Sequence, residues 1–511
     1  MLIGRTKADR EERHRVVIIG SGVGGSIAAF RLAEAGIDNL VLERGRRWPI
    51  TPAADTFPHL PSFDKRQVWL EGSPSESPLS KMPGPLAPIL KAIIAKALPR
   101  STGLLDIRPH RDLILLCGAG VGGGTLVYGG MLPQPRPGPF HSVFPAELDY
   151  GELDRVYYPR ARRRMGAARF PEDLLSHPRY RSSRIWRTAL HDAGLPVEPI
   201  VAGYDFDIIR AELAGTARPS ASVGQYFLTG CNSGAKLSVD RTYLARAEAT
   251  GKTTVRPLHQ VTGIGQDRHG RYQVGVQRLT DDGEAAETLM LTCDRLVVAA
   301  GGVHTPRMLV TARATGALPG LHEAVGTDWG TNGDQNPFTR TRGLAAGDRQ
   351  GGPPAFLTRN PDGTAMIAHG GLPLPDGAGV MIYAATGIPD RLGRWEYDPA
   401  AGRARLEWSA DNDLTAHRSV TELLQRAVPH IATGTSAHNP FGHHPLVFHP
   451  LGGAVLGKAT DPYGRLHGYR GLYCLDSALL PGSSAAVNPA LTIAAIVERC
   501  LDHLLPADFA D

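Results

Sequence analysis

Apolar positions along this chain fall into continuous runs and helical stripes that alternate. Arg15–Gly20 (RVVIIG) is an unbroken apolar run behind its first residue, the pattern of a parallel strand covered on both faces. In the SGVGGSIAAFRLAEAG that follows, Ile27, Phe30, Leu32 and Ala35 recur at helical spacing, and NLVLE reads as a second buried strand ending on Glu43. Apolar strands run into glycine again at Leu113–Met131 (LILLCGAGVGGGTLVYGGM) and at Leu296–Val310 (LVVAAGGVHTPRMLV), the latter predicting a helix from near Pro306. Gly471–Leu505 reads as a short strand, a loop and a long apolar helix from near Pro489.

No run reaches the ~20 apolar residues of a spanning helix. The opening MLIGRTKADREERHR is charged where a secretory signal carries an apolar block, so a cytoplasmic protein is expected. At 42% hydrophobic and 21% charged over 511 residues, the composition is that of a globular protein, with room for two to three domains of about 150 residues. The 55 Lys plus Arg against 50 Asp plus Glu leave a formal charge of +5, which implies no nucleic-acid tract. The arginine-rich Arg160–Arg169 reads as a solvated helix face. Cys117, Cys231, Cys293, Cys474 and Cys500 are odd in number with no C-x-x-C, and free, mostly buried thiols are expected. The 60 glycines cluster beside apolar runs, as backbone built to approach a ligand does.

Gly20, Gly22 and Gly25 form G-x-G-x-x-G between the first strand and helix. The first makes the tight turn, the second lets backbone approach a pyrophosphate, and the third lets helix and strand pack closely. Glu43 stands where a carboxylate accepts from a ribose 2′-hydroxyl, and its charge disfavours NADP. The fingerprint does not separate FAD from NAD. Three later segments favour FAD. The loop carrying Gly120, Gly123, Gly124, Tyr128, Gly129, Gly130 and Met131 suits a planar cofactor laid against it. Gly301 ends the next strand. Asp476 is placed to hold a ribityl chain, and the helix after Pro489 points its amides at an anionic reduced flavin.

These segments resemble the glucose-methanol-choline (GMC) oxidoreductase family, and within it the bacterial cholesterol oxidases. The resemblance rests on the fingerprint with Glu43, GVGGGTLVYGGM, YYPRA at Tyr157–Ala161, the block Cys231–Val261, AVGTDWGTNG at Ala324–Gly333, and the long block from FHPLGG to Asn488-Pro489. It fades between about Trp48 and Arg108 and between about Pro337 and Pro445. It implies FAD as cofactor, with Val261 among the contacts, and a catalytic pair at His449 and Asn488. These lie 39 residues apart. A histidine is suited to take the hydroxyl proton as hydride leaves the neighbouring carbon, and an asparagine amide can fix the oxygen.

Three positions depart from that resemblance. The glutamate that moves a proton in steroid isomerisation falls on Gly370, leaving His369 as a substitute base; Tyr128 stands for an asparagine, and Ala490 for a phenylalanine. His369, Gly370 and Ala490 are therefore expected in the substrate pocket, with isomerase activity lost. His443, His444 and His449 cluster in sequence without a carboxylate or thiolate to complete a ligand set, and no metal site is expected. No G-x-S-x-G supports a serine hydrolase. Pro85–Leu98 reads as a cover helix, with peripheral membrane contact as the alternative.

The expected fold is α/β: a Rossmann-like FAD-binding domain of GMC type from residues 15–48, 105–131, 241–315 and 466–505, and a substrate domain with a mixed or antiparallel sheet from 49–104, 132–240 and 316–465. The expected function is an FAD-dependent oxidase of a secondary hydroxyl on a bulky apolar alcohol, with molecular oxygen as acceptor. The alternatives are a dehydrogenase with another acceptor, or a flavin-holding protein with non-redox or ligand-binding function.

Overall fold

The computed structural model describes residues 8–59, 64–70, 101–345, 347–371, 379–432 and 445–510. The fingerprint unit is β1 (Arg10–Ile19), α1 (Val23–Glu34) and β2 (Asn39–Leu42). A hairpin of β3 (Leu105–Pro109) and β4 (Ile114–Gly118) and helix α2 (Arg181–Asp192) precede the run β5 (Thr253–Arg256), β6 (His259–Gln266), β7 (Tyr272–Leu279) and β8 (Ala285–Val298). Then come α3 (Gly301–Ala314), β9 (Phe338–Arg340), β10 (Phe356–Arg359), β11 (Ala365–Gly371), β12 (Val380–Gly387) and α4 (Leu414–Ile431). Short strands β13 (Leu446–Val447) and β14 (Leu472–Cys474) lead to α5 (Ala490–Leu504).

Val16–Ile19 are buried in a core shared with Ile27, Leu32 and Val497, on a strand that pairs in parallel with β2 and with β8. The sheet runs β5-β2-β1-β8-β7-β6, with β14 also against β8. It is parallel on the fingerprint side and antiparallel through β7 and β6. The 14-residue β8 serves both halves, pairing β7 along Ala285–Cys293 and β14 at Leu296–Val298. That long partner extends β1 back to Arg10, beyond the apolar run, and the added residues alternate between exposed and half-buried because β2 does not reach them.

Helix α3 begins at Gly301, five residues before the expected start, and encloses Pro306. Proline there cannot donate to the Gly302 carbonyl. The Trp329 indole N–H does so instead at 2.7 Å, which leaves the helix unbroken. The hairpin β3-β4 pairs with β13 in a small sheet of its own, separate from the sheet of the fingerprint strands.

A second, five-stranded sheet, β9-β12-β11-β10 with Glu198–Pro199 at its edge, is antiparallel throughout. Helices α2 and α4 cover one face, around the fully buried Trp186 and Tyr383. The other face supplies Gly370, Ile382 and Ala384 to a cavity between the two sheets.

Arg160–Arg169 is a solvated face only in part: Arg163 and Arg169 are exposed, whereas Arg160, Arg162 and Arg164 are half-buried. Arg164 and Arg31 donate to the fully buried Glu498 at 2.8 and 2.7 Å, and Arg160 to Asp502 at 2.8 Å, so α5 is bound to α1 and to the 158–164 helix through ion pairs. Removing one partner would strand a buried charge, at a cost of about 3–5 kcal/mol. Cys117 is half-buried, the other four cysteines are buried, and all are free thiols. No helix among the described residues is long and apolar enough to cross a membrane. The expected cover segment Pro85–Leu98, and His443 and His444, lie outside the described residues.

Candidate active site

A cavity of about 830 Å³ runs from the fingerprint turn to the start of α5. Gly20 and Gly22 line it where α1 begins, Glu43 where β2 ends, Val261 on β6, Gly301 at the start of α3, and Asp476 just after β14. Gly123, Gly124, Tyr128, Gly129, Gly130 and Met131 form another wall. His449, Asn488, Pro489, Ala490 and Gly370 also face it. Two expected cofactor residues stand behind the wall. A β-carbon on Gly25 would come within 2.0 Å of the Gly20 carbonyl oxygen, so this glycine packs α1 on its own turn. Gly120 packs against Trp48, and its carbonyl accepts from the Ser21 hydroxyl.

Local chain order explains the nucleotide end. Glu43 Oε2 accepts from the Ser21 hydroxyl at 2.7 Å and its amide at 3.2 Å, and Oε1 from the Gly45 amide at 2.8 Å, which fixes the carboxylate with acceptor capacity to spare. A β-carbon on Gly123 would lie 2.7 Å from Gly22 Cα, so the second glycine loop abuts the first. Asp476 Oδ2 accepts from the Gly301 amide at 2.7 Å and the Thr305 hydroxyl at 2.6 Å, tying β14 to the start of α3. Burial raises the Asp476 carboxyl above its ordinary range. A charged cluster in this wall has no local signature in the sequence. Asp106 accepts from Arg44 and Arg108, each at 2.7 Å, and lies 3.1 Å from His304 Nε2. The guanidiniums and His304 hold Asp106 well below the usual carboxylate range against its burial, while burial and Arg44 push His304 down to about 3.

At the other end of the cavity, where α5 begins, His449 Nδ1 lies 2.6 Å from Asp334 Oδ1, and Asn488 Nδ2 lies 3.4 Å from His449 Nε2. Asn488 Oδ1 is buried without a hydrogen-bond partner. Asp334 was not foreseen: the resembling block Ala324–Gly333 stops one residue short of it. Tyr128 donates its phenolic proton to the Leu237 carbonyl at 2.9 Å, so that proton is not offered to the cavity. Behind it the buried Lys236 ammonium is held by the Leu126, Tyr128 and Tyr226 carbonyls, and burial lowers it to about 7.

His369 cannot take the place of the missing glutamate. It pairs across the sheet with Tyr383, and Gly370 pairs with Ile382, so the two neighbours face opposite sides. The His369 ring lies 6.4 Å from Trp186 on the helix-covered face, with both nitrogens unpartnered, and burial pushes it down to about 3. Its buried ring is held neutral in the core beside Trp186, although His369 is among the residues that border the cavity.

Comparison with known proteins agrees with this architecture. Among solved structures, pyridoxine 4-oxidase from Mesorbium loti superposes with a TM-score of 0.62 at 15% identity, over 96% of this chain and 98% of that one, and so shares the fold. A cholesterol oxidase of Mycobacterium tuberculosis (strain CDC 1551 / Oshkosh) is 28% identical over 95% of this chain and 90% of its own length. Another cholesterol oxidase, from Acinetobacter baumannii, is 22% identical over 96% and 94%. The GMC oxidoreductase family profiles match residues 15–317 and 408–496. The β-α-β turn, the carboxylate at its second strand and the His–Asn pair across the cavity thus stand in a chain that belongs to the GMC oxidoreductase family, flavoenzymes that oxidise CH–OH groups.

Proposed function

We propose that this protein holds FAD in the cavity and oxidises a secondary hydroxyl on a bulky, largely apolar molecule of steroid, terpenoid or polyketide type, with dioxygen as the final acceptor. One observation carries the reading: His449 and Asn488, 3.4 Å apart, share a cavity with Glu43 and the fingerprint turn at its other end and the apolar Ile382 and Ala384 in its wall. Named oxidases among the relatives support dioxygen.

The residues present fit FAD. A side chain at Gly22 would meet nothing within 4 Å, and α1 opens there without a side-chain cap, so its amides face the cavity. The unpartnered Asn488 Oδ1 is a further polar atom awaiting a donor. Glu43 would hold the ribose, the α1 amides the pyrophosphate, and the α5 amides the flavin end. When bound, FAD supplies the acceptor for the hydride. His449 Nε2 takes the hydroxyl proton as the carbon gives up its hydride, and Asn488 donates to the same oxygen, fixing the carbon's approach.

Two measurements test this. Heat or acid should release intact FAD from the yellow protein, and release of NAD would overturn the assignment. Anaerobic mixing with candidate alcohols should bleach the flavin, and air should restore it; bleaching without recovery in air would point to another acceptor.

Gly370 offers no proton-carrying group and His369 faces the other way, so a 3-hydroxy-5-ene steroid, where accepted, leaves as the unconjugated ketone. A β-carbon at Gly370 would sit 3.4 Å from Ile382 Cγ2, an ordinary contact. Gly370→Glu should therefore add isomerisation, with desolvation raising the new carboxyl toward a useful range. Fast, enzyme-proportional formation of the conjugated enone by the unmodified protein would refute the loss.

A further inference from the structure

We infer that the tetrapeptide Thr331–Asp334 is a clamp that positions both members of the catalytic pair: Asp334 sets the tautomer and orientation of His449, and Asn332 holds the loop that presents Asn488. The inference rests on the His449–Asn488 chemistry proposed above and adds two positioning residues to it.

The Asp334 arm follows from counting donors. Its Oδ2 accepts from the main-chain amides of Phe448 and His449, at 2.8 and 2.9 Å. Main-chain N–H groups can only donate, so this oxygen's role is fixed. Oδ1 is then the acceptor facing His449 Nδ1 at 2.6 Å, and Nδ1 carries the hydrogen. The lone pair is left on Nε2, the nitrogen next to Asn488 and the one that must receive the substrate proton. The same carboxylate lies against the ring when it becomes positively charged.

The Asn332 arm acts on backbone. Ala485 and Ala486, just before Val487-Asn488, have φ of +61° and +58°, a left-handed conformation that residues with a β-carbon adopt rarely. Asn332 is wholly buried. Its Nδ2 donates to the Val487 carbonyl at 2.8 Å, and its Oδ1 accepts from the Ser484 amide at 2.8 Å and lies 3.0 Å from the Ser484 hydroxyl. One side chain thus grips both ends of the strained pair. Asn332 itself sits at φ +60° and Gly333 at +63°. That turn sends neighbouring side chains to two different loops. A β-carbon on Gly333 would approach the Gly387 carbonyl to 2.6 Å and Ala416 Cβ to 2.8 Å, so α4 and the end of β12 hold the clamp from behind.

The test uses the holoenzyme as wild type and two variants, with a third, His449→Gln, for assignment. In Asp334→Asn the two main-chain donors still require an oxygen at the Oδ2 position, which turns the new NH2 toward Nδ1 and moves the histidine hydrogen to Nε2. Side-chain 15N spectra of labelled protein, with His449 assigned by difference against His449→Gln, should show the Nδ1–H form in wild type and the Nε2–H form in Asp334→Asn. The rate of flavin reduction should fall about 10³-fold or more, with KM changed less than about threefold and FAD content unchanged. In Asn332→Ala the His449 signals should stay as in wild type, while amide hydrogen exchange at Ser484–Val487 accelerates at least tenfold and flavin reduction slows. An Nε2–H His449 in the wild type, or an unchanged tautomer in Asp334→Asn, would overturn the first arm; unchanged exchange in Asn332→Ala would overturn the second. Tautomer and exchange are read in the unreacted protein, so they decide the clamp whether or not any alcohol turns over.

Discussion

The fingerprint end of the cavity is built largely from main chain within one β-α-β unit, Arg10 to Glu43, whereas the proposed catalytic end is built from side chains on separate segments, at Asp334, His449 and Asn488, that meet only in the fold. The first can be specified by short-range demands: a turn needing a left-handed residue, a helix needing close approach. The second depends on contacts between residues up to 115 apart in the case of Asp334 and His449. Each end should therefore be separable by substitution, with a loss at one leaving the other working.

The largest separation is expected from His449→Ala. It should slow flavin reduction by about 10²–10⁴-fold, the usual worth of a positioned general base, while FAD content stays at the wild-type level. Stopped-flow mixing with a reducing alcohol reads the rate, and equal rates would remove the base. The reciprocal variant is smaller in effect. Glu43→Ala removes a fixed carboxylate that can accept from the ribose, and hydrogen bonds to charged groups are worth about 1.5–3 kcal/mol. FAD should dissociate about 10- to 100-fold more readily on dilution, with reduction of the holoenzyme that remains unchanged. Loss of reduction rate in that fraction would show that the two ends are coupled.

The smallest effect concerns the buried His369, and it appears only in acid. In the unfolded chain this ring takes a proton near pH 6.5. Burial pushes the folded ring down to about 3, so the unfolded state binds more protons across that interval. The contribution to stability is present above about pH 6.5 and is lost as pH falls toward 3. Between pH 7 and 5 the wild type should lose about 2 kcal/mol through this group, and His369→Phe should lose that much less. Urea titrations at both pH values check it. Identical losses in both proteins would mean the ring has a partner or reaches solvent.

Legibility in the sequence followed the same divide. The fingerprint, Glu43, the buried β1 and the strand ahead of Asp476 were readable because each signal is confined to a few neighbouring residues. The start of α3 was misplaced because Pro306 looks like a first-turn residue, and the indole that answers its missing donor lies at Trp329. Its place beside Gly370 makes His369 look like a substitute base, although a strand turns adjacent residues to opposite faces. The Asp106 cluster draws at once on β3, α3 and Arg44 just beyond β2, and leaves no local signal. Arg160–Arg169 looked solvated because its acidic partners, Glu498 and Asp502, lie more than three hundred residues away.

The double pairing of β8 also dictates when the protein can mature. A ribosome that has passed Pro450 has already released the fingerprint turn, Glu43, Asp334 and His449, but it has not yet made β14, Asp476, Asn488 or α5. Until those segments join, one side of Leu296–Val298 lacks its partner and the cavity lacks the wall that Asp476 and Asn488 provide. Such long-range parallel pairing forms late and slowly. Loading of the cofactor is thus expected after synthesis, and nascent chains halted before β14 should emerge colourless even when flavin is abundant.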